Sequence, residues 1–167
     1  MPHESSKPSA SAVSDRTLQY REALHSIRAI WSDEGGRSLD DIALMATINS
    51  VLSSTFSHFH WTGFYRVCGD RLVVGPYIGA VGCLQIAFGK GVCGTAALKR
   101  ETVVVNDVRQ FAGHIACDPH SRSEIVVPVL GPEGELIAVL DVDSNEVAAF
   151  DERDRQGLEN ICRMFTE

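Results

Sequence analysis

Several motifs that mark common enzyme and binding classes are missing from this 167-residue sequence. No two of its five cysteines form a CxxC pair, so neither a thioredoxin-like redox motif nor a four-cysteine zinc site is supported. No GxSxG segment is present, which argues against a serine hydrolase with a nucleophile elbow. The chain has no Lys/Arg cluster and a net charge of −7. Proteins that bind nucleic-acid phosphates use basic patches, which this sequence lacks. We therefore expect no nucleic-acid partner.

Long apolar runs are also missing. No segment resembles a signal peptide or a membrane span, so we expect a cytoplasmic protein with no membrane partner. In that reducing compartment, cysteines are more often catalytic, redox-sensing or metal-binding than structural. With 44% hydrophobic and 22% charged residues, the composition is that of one globular domain with a single core.

The periodicity of apolar residues divides the chain into a tail and one α+β domain. Residues 1–13 are rich in Ser, Pro and Ala, which predicts a flexible N-terminal tail before a domain at residues 14–167. Helical spacing predicts two N-terminal helices and a final helix that opens at Asp151. Period-two alternation between them predicts an antiparallel sheet of about six strands, ending in a hairpin around GPEGE. The expected architecture is this sheet flanked by α-helices.

Three of the five cysteines are candidates for thiol chemistry. Cys83 and Cys93 fall in a glycine-rich segment that reads as a loop, and Cys117 falls in a second long polar loop. A thiol in such a loop can be reached and activated. A nucleophilic cysteine with a second thiol in reach completes a redox cycle. Cys68 and Cys162 are interpreted as residues without a catalytic role or as small buried hydrophobic residues.

Three carboxylates are predicted to meet on the last hairpin. Alternation places Asp141 and Asp143 on one face of the final strand, and a symmetric hairpin brings Glu124 opposite or diagonal to Asp141. Repulsion and burial in such a cluster raise the pKa of at least one carboxyl, which then serves as a proton donor at neutral pH. The cluster equally suits a substrate ammonium group.

Two aromatic residues, Trp61 and Tyr65, share one face of the first strand. They are suited to line a ligand pocket, although aromatic pairs more often pack in a core. The case for a pocket comes from the loops and carboxylates taken together.

The sequence around Cys117 also contains candidate metal ligands. His114, Cys117 and His120 are evenly spaced, and Cys83 or Cys93 offers a further ligand. This spacing matches no established zinc pattern, and histidines beside a cysteine serve equally well to hold a thiolate. We expect no metal.

The segments GCLQIAFGKGVCGTA, GHIACDPHSRSEIVVPV and AVLDVDS closely resemble those of the free methionine-R-sulfoxide reductases, enzymes built on a GAF domain. The separations of ten residues from Cys83 to Cys93 and twenty-four from Cys93 to Cys117 agree with that family. The resemblance runs from about Ser14 to the C-terminus. It implies a single GAF domain and an oxidoreductase that acts on a sulfur group with a disulfide as acceptor.

The resemblance also implies a reaction path. Cys117 is expected to attack the sulfoxide sulfur of free L-methionine (R)-S-oxide and to become a sulfenic acid. Glu124 is expected to protonate or orient the sulfoxide oxygen. Either Cys83 or Cys93 occupies a position that matches the resolving cysteine. Thioredoxin or a related dithiol protein would then reduce the disulfide, and no other cofactor is expected.

Substrate contacts follow from the same resemblance. Asp141 and Asp143 are expected to hold the substrate ammonium, and Trp61 and Tyr65 to enclose the S-methyl group. A pocket closed on all sides would favour the free amino acid over a peptide. A homodimer is expected as well, and a role in repairing oxidised methionine under oxidative stress.

Two other classes stay open at this point. A non-catalytic GAF sensor would need no cysteine trio and would usually be joined to an output domain, which the sequence does not show. A redox switch would use the same cysteines to report oxidant levels to a partner protein. Turnover separates them from an enzyme, because a switch forms its disulfide once whereas an enzyme consumes reductant in proportion to added sulfoxide.

Overall fold

A computed structural model describes residues 10–167, with side chains described from Arg16 onward except that of Arg37. The described residues form four α-helices: α1 (Ala10–Asp33), α2 (Asp41–Thr55), α3 (Gly91–Lys99) and α4 (Glu152–Cys162). They also form six strands: β1 (Trp61–Cys68), β2 (Arg71–Ile78), β3 (Gln85–Ala87), β4 (Val103–Val105), β5 (Ser123–Leu130) and β6 (Leu136–Ser144). Helix α1 begins at Ala10, within the last four residues of the predicted tail, and residues 1–9 of that tail lie outside the described residues.

The six strands form one sheet in the order β3-β2-β1-β6-β5-β4, with antiparallel pairing throughout. Strands β5 and β6 pair as the predicted hairpin around GPEGE. The predicted α+β architecture with about six antiparallel strands is confirmed. Because β1 and β6 lie side by side at the centre, residues from the start of β1 and the end of β6 are brought together at one end of these two central strands.

The two faces of the sheet have different neighbours. One face carries Phe64, Ile125 and Leu140, and its apolar cluster is completed by residues of α1, α2 and α4. The other face carries an apolar cluster that includes Trp61 and Val139, and it packs against α3. Side chains alternate between the faces along each strand. The face under α3 is therefore the one that receives the predicted site residues.

Helix α4 begins as predicted from the sequence. The side chain of Asp151 accepts a hydrogen bond from the backbone N–H of Arg153 at 2.9 Å, and a reciprocal bond from the Asp151 backbone to Asp154 completes a capping box. None of the helices in the described part of the chain is both long and apolar enough to cross a bilayer.

The glycine-rich segment differs from the single loop that the sequence predicts. Strand β3 and the first turn of α3 both lie within it, so Cys93 is a buried helical residue and the loop placement was wrong for this cysteine. The physical reason is close packing: a Cβ on Gly94 would collide with the carbonyl oxygen of Ala87. Here glycine lets a helix approach a strand, where the composition suggested a flexible chain.

Candidate active site

A disulfide bond between Cys83 and Cys117 joins the two loops predicted to carry thiol chemistry. Cys83 precedes β3 and Cys117 precedes β5, and their Cα atoms are 5.3 Å apart although 34 residues separate them in the chain. Both cysteines are partly exposed. The structure therefore pairs Cys117 with Cys83 and leaves Cys93 as a free thiol.

Cys93 is a buried residue of α3 that takes no part in the disulfide. Its Sγ is 3.9 Å from Oε1 of Glu124, within the range of a weak S–H hydrogen bond. Burial, followed by the nearby charges of Asp141 and Glu124, raises the pKa of Cys93 well above its ordinary value. At neutral pH this residue is a protonated thiol, which is a poor nucleophile.

Glu124, Asp141 and Asp143 form a buried carboxylate cluster. Glu124 pairs directly with Asp143 across β5 and β6, so Asp141, two residues along, is its diagonal neighbour as predicted. No lysine or arginine among the described residues forms an ion pair with any of the three. His114 Nε2 lies 3.6 Å from Glu124 Oε2, but burial lowers the pKa of His114, which favours the neutral ring. Within the described part of the chain, the cluster thus has no compensating lysine or arginine.

Without a lysine or arginine partner among the described residues, the buried carboxyl groups of the cluster have raised pKa values. Burial raises the pKa of Glu124 well above its ordinary value, and the charge of Asp143 adds to the effect. Burial likewise raises the pKa of Asp141 and of Asp143, each with a contribution from a neighbouring carboxylate. Oδ1 of Asp141 is buried with no hydrogen-bond partner in the described structure. The site can therefore retain a proton at neutral pH and is suited to receive a cationic group.

Trp61 and Tyr65 form the aromatic wall that the alternation of β1 predicts. Their rings stack with centroids 5.8 Å apart, and Trp61 Nε1 donates a hydrogen bond of 2.9 Å to the carbonyl of Ala80. Gly79 has φ +139°, and a Cβ there would collide with the Trp61 indole. The loop that leads to Cys83 therefore packs closely against the tryptophan ring.

A small cavity of about 30 Å³ lies where these elements meet. It is lined by Trp61, Gly82, His114, Ile115, Cys117, Asp118, Ser121, Glu124 and Asp143. Such a volume holds little more than a water molecule, so with the disulfide formed the site is closed to a molecule the size of an amino acid. A wider groove between α1, α2 and the C-terminus contains neither a cysteine nor a carboxylate cluster. Chemistry is thus expected at the small closed cavity.

Most of the predicted site residues meet here. Cys117, Glu124, Asp143 and Trp61 line the cavity, whereas Asp141 lies beside Cys93 and Glu124. The sequence did not identify five other lining residues: Gly82, His114 as a neighbour of Glu124, Ile115, Asp118 and Ser121. Four of these belong to the polar loop around Cys117, and only that adjacency could have indicated them.

The three evenly spaced residues considered as metal ligands do not converge. Cys117 is in the disulfide, His114 lies beside Glu124, and His120 lies beside a different carboxylate, Asp118. Equal spacing along a loop does not predict which way the side chains point, because the loop turns between these residues.

The chain is similar to several known proteins. It matches the GAF domain family over residues 13–164. It is 40% identical over 120 residues to the free methionine-R-sulfoxide reductase of Escherichia coli strain K12, covering 72% of both chains. The structure of free methionine-R-sulfoxide reductase from Neisseria meningitidis in complex with its substrate aligns with a TM-score of 0.84 and 40% identity, over 99% of this chain and 93% of that one. A GAF sensor protein from Burkholderia vietnamiensis aligns with a TM-score of 0.85 and 45% identity, over 91% and 94%.

Proposed function

The chain belongs to the GAF domain family and, within it, to the free methionine-R-sulfoxide reductases, and we propose that it reduces free L-methionine (R)-S-oxide to methionine through Cys117. The observation that carries the proposal is the Cys83–Cys117 disulfide at the mouth of a cavity lined by buried carboxylates. A sensor domain needs neither feature. Both are what a thiol-dependent reductase must contain: a pair of thiols that can be oxidised together and a group that can give up a proton.

The first step transfers the sulfoxide oxygen to the enzyme. The Cys117 thiolate attacks the sulfoxide sulfur, and protonated Glu124 delivers a proton to the oxygen. The S–O bond breaks as the protonated oxygen passes to the Cys117 sulfur, and the transient S–S bond breaks with its electron pair left on the methionine sulfur. Methionine leaves, and Cys117 becomes a sulfenic acid. Glu124 suits this role because it lines the same cavity as Cys117 and its raised pKa keeps the proton on the carboxyl.

The second step removes the oxygen as water. The Cys83 thiol attacks the Cys117 sulfur, the sulfenic oxygen leaves as water, and the disulfide forms. The pairing in the structure favours Cys83 as the resolving residue, and the buried, protonated state of Cys93 disfavours the alternative. Cys93 instead lies as a neutral hydrogen-bonding neighbour of Glu124.

A dithiol protein of the thioredoxin type is our proposal for the final electron donor. Both sulfurs belong to partly exposed residues, so a thiolate from outside can approach one of them. Val81 and Leu84, on either side of Cys83, are exposed apolar residues that a docking protein can cover. Reduction would release the two loops from each other, and the closed cavity would then open for the next substrate.

Recognition of the free amino acid follows from the charge of the site. Three buried carboxylates without a cation attract the substrate ammonium, and the unpartnered Oδ1 of Asp141 offers it an acceptor. A peptide bond at the substrate nitrogen would remove this charge. The aromatic wall of Trp61 and Tyr65 is suited to the S-methyl end.

Methionine (R)-sulfoxide acetylated at its nitrogen tests this proposal. We expect kcat/KM to fall by roughly 30-fold or more relative to the free amino acid, since a buried charge left unpaired costs about 2–5 kcal/mol. The thioether product of each compound (methionine, N-acetylmethionine or methionine methyl ester) is measured by chromatography with dithiothreitol as reductant, so that no protein partner is needed. The matched control is the methyl ester, which keeps the ammonium and loses the carboxylate charge. Equal turnover of the acetylated and free compounds would contradict the assignment.

A further inference from the structure

We propose that His60, Asp118 and His120 form a binding site for one divalent transition-metal ion of the zinc class, at the rim of the Cys117 cavity. His60 Nε2 lies 2.9 Å from Asp118 Oδ2, and His120 Nδ1 lies 3.1 Å from Asp118 Oδ1. One ligand atom from each residue lies within 4.8 Å of the other two. The two histidines thus approach one carboxylate, one at each oxygen.

The donor set fits a metal of this class. Two imidazoles and a carboxylate are ligands that Zn²⁺ and its neighbours in the first transition row accept, and Zn²⁺ commonly keeps a fourth position for water. Bonds of about 2.0–2.2 Å at tetrahedral angles place ligand atoms roughly 3.4 Å apart. The two imidazole nitrogens lie 2.9 and 3.1 Å from different oxygens of Asp118, and one ligand atom from each residue lies within 4.8 Å of the others, so small side-chain rotations would bring three donors to this spacing.

The environment fits as well. The Asp118 side chain is 7% exposed and is fixed by a hydrogen bond of 2.9 Å from the backbone N–H of His120. The imidazoles are more accessible, at 33% for His60 and 78% for His120, so an ion can enter from solvent and the rings can adjust. No lysine or arginine among the described residues forms an ion pair with Asp118, so no cationic side chain competes for the carboxylate.

At this position, a bound ion would restrict the loop that carries Cys117. Asp118 directly follows Cys117 and lines the cavity, and His60 directly precedes Trp61 at the start of β1. A bound ion would link the Cys117 loop to the residue that precedes β1 and would oppose movement of that loop. We therefore expect the ion to slow any reaction that requires this loop to move. Ion binding itself does not depend on the proposed reductase activity.

The test is a titration of tag-free protein in its disulfide form, so that Cys83 and Cys117 cannot act as ligands. All proteins carry Cys68→Ser, which removes the exposed thiol. Co²⁺ is the probe, because its visible absorption reports coordination geometry, and Zn²⁺ binding is followed by calorimetry. We expect one ion per chain, with affinity reduced about tenfold or more in His60→Ala and in His120→Ala.

Two control variants make the outcome specific. His25→Ala changes an exposed histidine of α1, and His3→Ala removes the histidine nearest the N-terminus, so both should bind like the parent. Thermal unfolding confirms that each variant is folded. The proposal would be overturned if the protein bound neither Co²⁺ nor Zn²⁺. It would also be overturned if the affinity were unchanged in both His60→Ala and His120→Ala. If metal binds as expected while no sulfoxide is reduced, the metal site stands and the proposed function falls.

Discussion

Cys117→Ser is expected to abolish methionine formation, with a loss of at least about a thousandfold, because removal of a nucleophile leaves only the binding contribution to catalysis. Cys117 lines the cavity with Glu124, and no other cysteine of the described structure does so. The measurement is the initial rate and the final yield of methionine after reduced enzyme is mixed with excess free (R)-sulfoxide in the absence of reductant. Wild type should give one methionine per chain as the disulfide forms.

The other cysteine variants distinguish the resolving residue. Cys83→Ser should still release one methionine per chain but stop at a sulfenic acid, detectable as a mass increase with a sulfenic-acid trap. Cys93→Ser should form the Cys83–Cys117 disulfide normally, because Cys93 takes no part in it. Cys68→Ser is the matched control for an exposed cysteine. Full methionine yield from Cys117→Ser, or loss of the disulfide in Cys93→Ser, would contradict these roles.

Glu124→Gln is expected to lower kcat by about 10²–10⁴-fold, the range typical of a positioned general acid, while making the protein more stable at alkaline pH. Glutamine keeps the shape of the side chain but carries no proton to donate. It also removes one of three buried carboxyl groups that have no cationic partner. Activity and stability should therefore change in opposite directions.

The direction of the pH effect follows from the raised pKa values of the cluster. Because burial raises the pKa of Glu124 in the folded state, that state holds more protons than the unfolded chain above about pH 4.3. The free energy of unfolding then falls as the pH rises, until the folded-state pKa is passed. Removing Glu124 removes part of this loss, so the stability advantage of Glu124→Gln should widen from pH 5 to pH 8.

Urea unfolding of both proteins at pH 5 and pH 8 measures this difference. Glu133→Gln, in the exposed hairpin turn, is the matched control and should be insensitive to the cluster. A variant that is less stable than wild type at pH 8 would show that Glu124 is ionised and stabilising in the folded protein. A variant that retains full kcat would show that Glu124 is not the general acid.

The sequence predicted the sheet face better than the loops. Period-two alternation correctly placed Trp61 and Tyr65 on one face and brought Glu124 diagonal to Asp141, because strand geometry fixes which side chains share a face. It could not choose between Cys83 and Cys93 as the partner of Cys117. That choice depends on the tertiary arrangement of loops whose cysteines are 34 residues apart in the chain, which local patterns do not determine.

The remaining differences have similar causes. Glycines around Cys93 read as a loop, whereas in the fold they allow α3 to pack tightly and bury the thiol. The contact between His60 and Asp118 joins residues 58 positions apart, and no local pattern indicates it. Local periodicity therefore gives the elements and their faces, while contacts between loops depend on tertiary packing.

The most direct test of the central claim is NADPH consumption, coupled through thioredoxin reductase and thioredoxin, with separated R and S forms of free methionine sulfoxide. The account predicts sustained turnover with the free R form, no turnover with the S form, and none in Cys117→Ser. An intact, reducible protein that consumes no NADPH with either form would contradict the reductase assignment and would favour a redox switch that forms its disulfide only once.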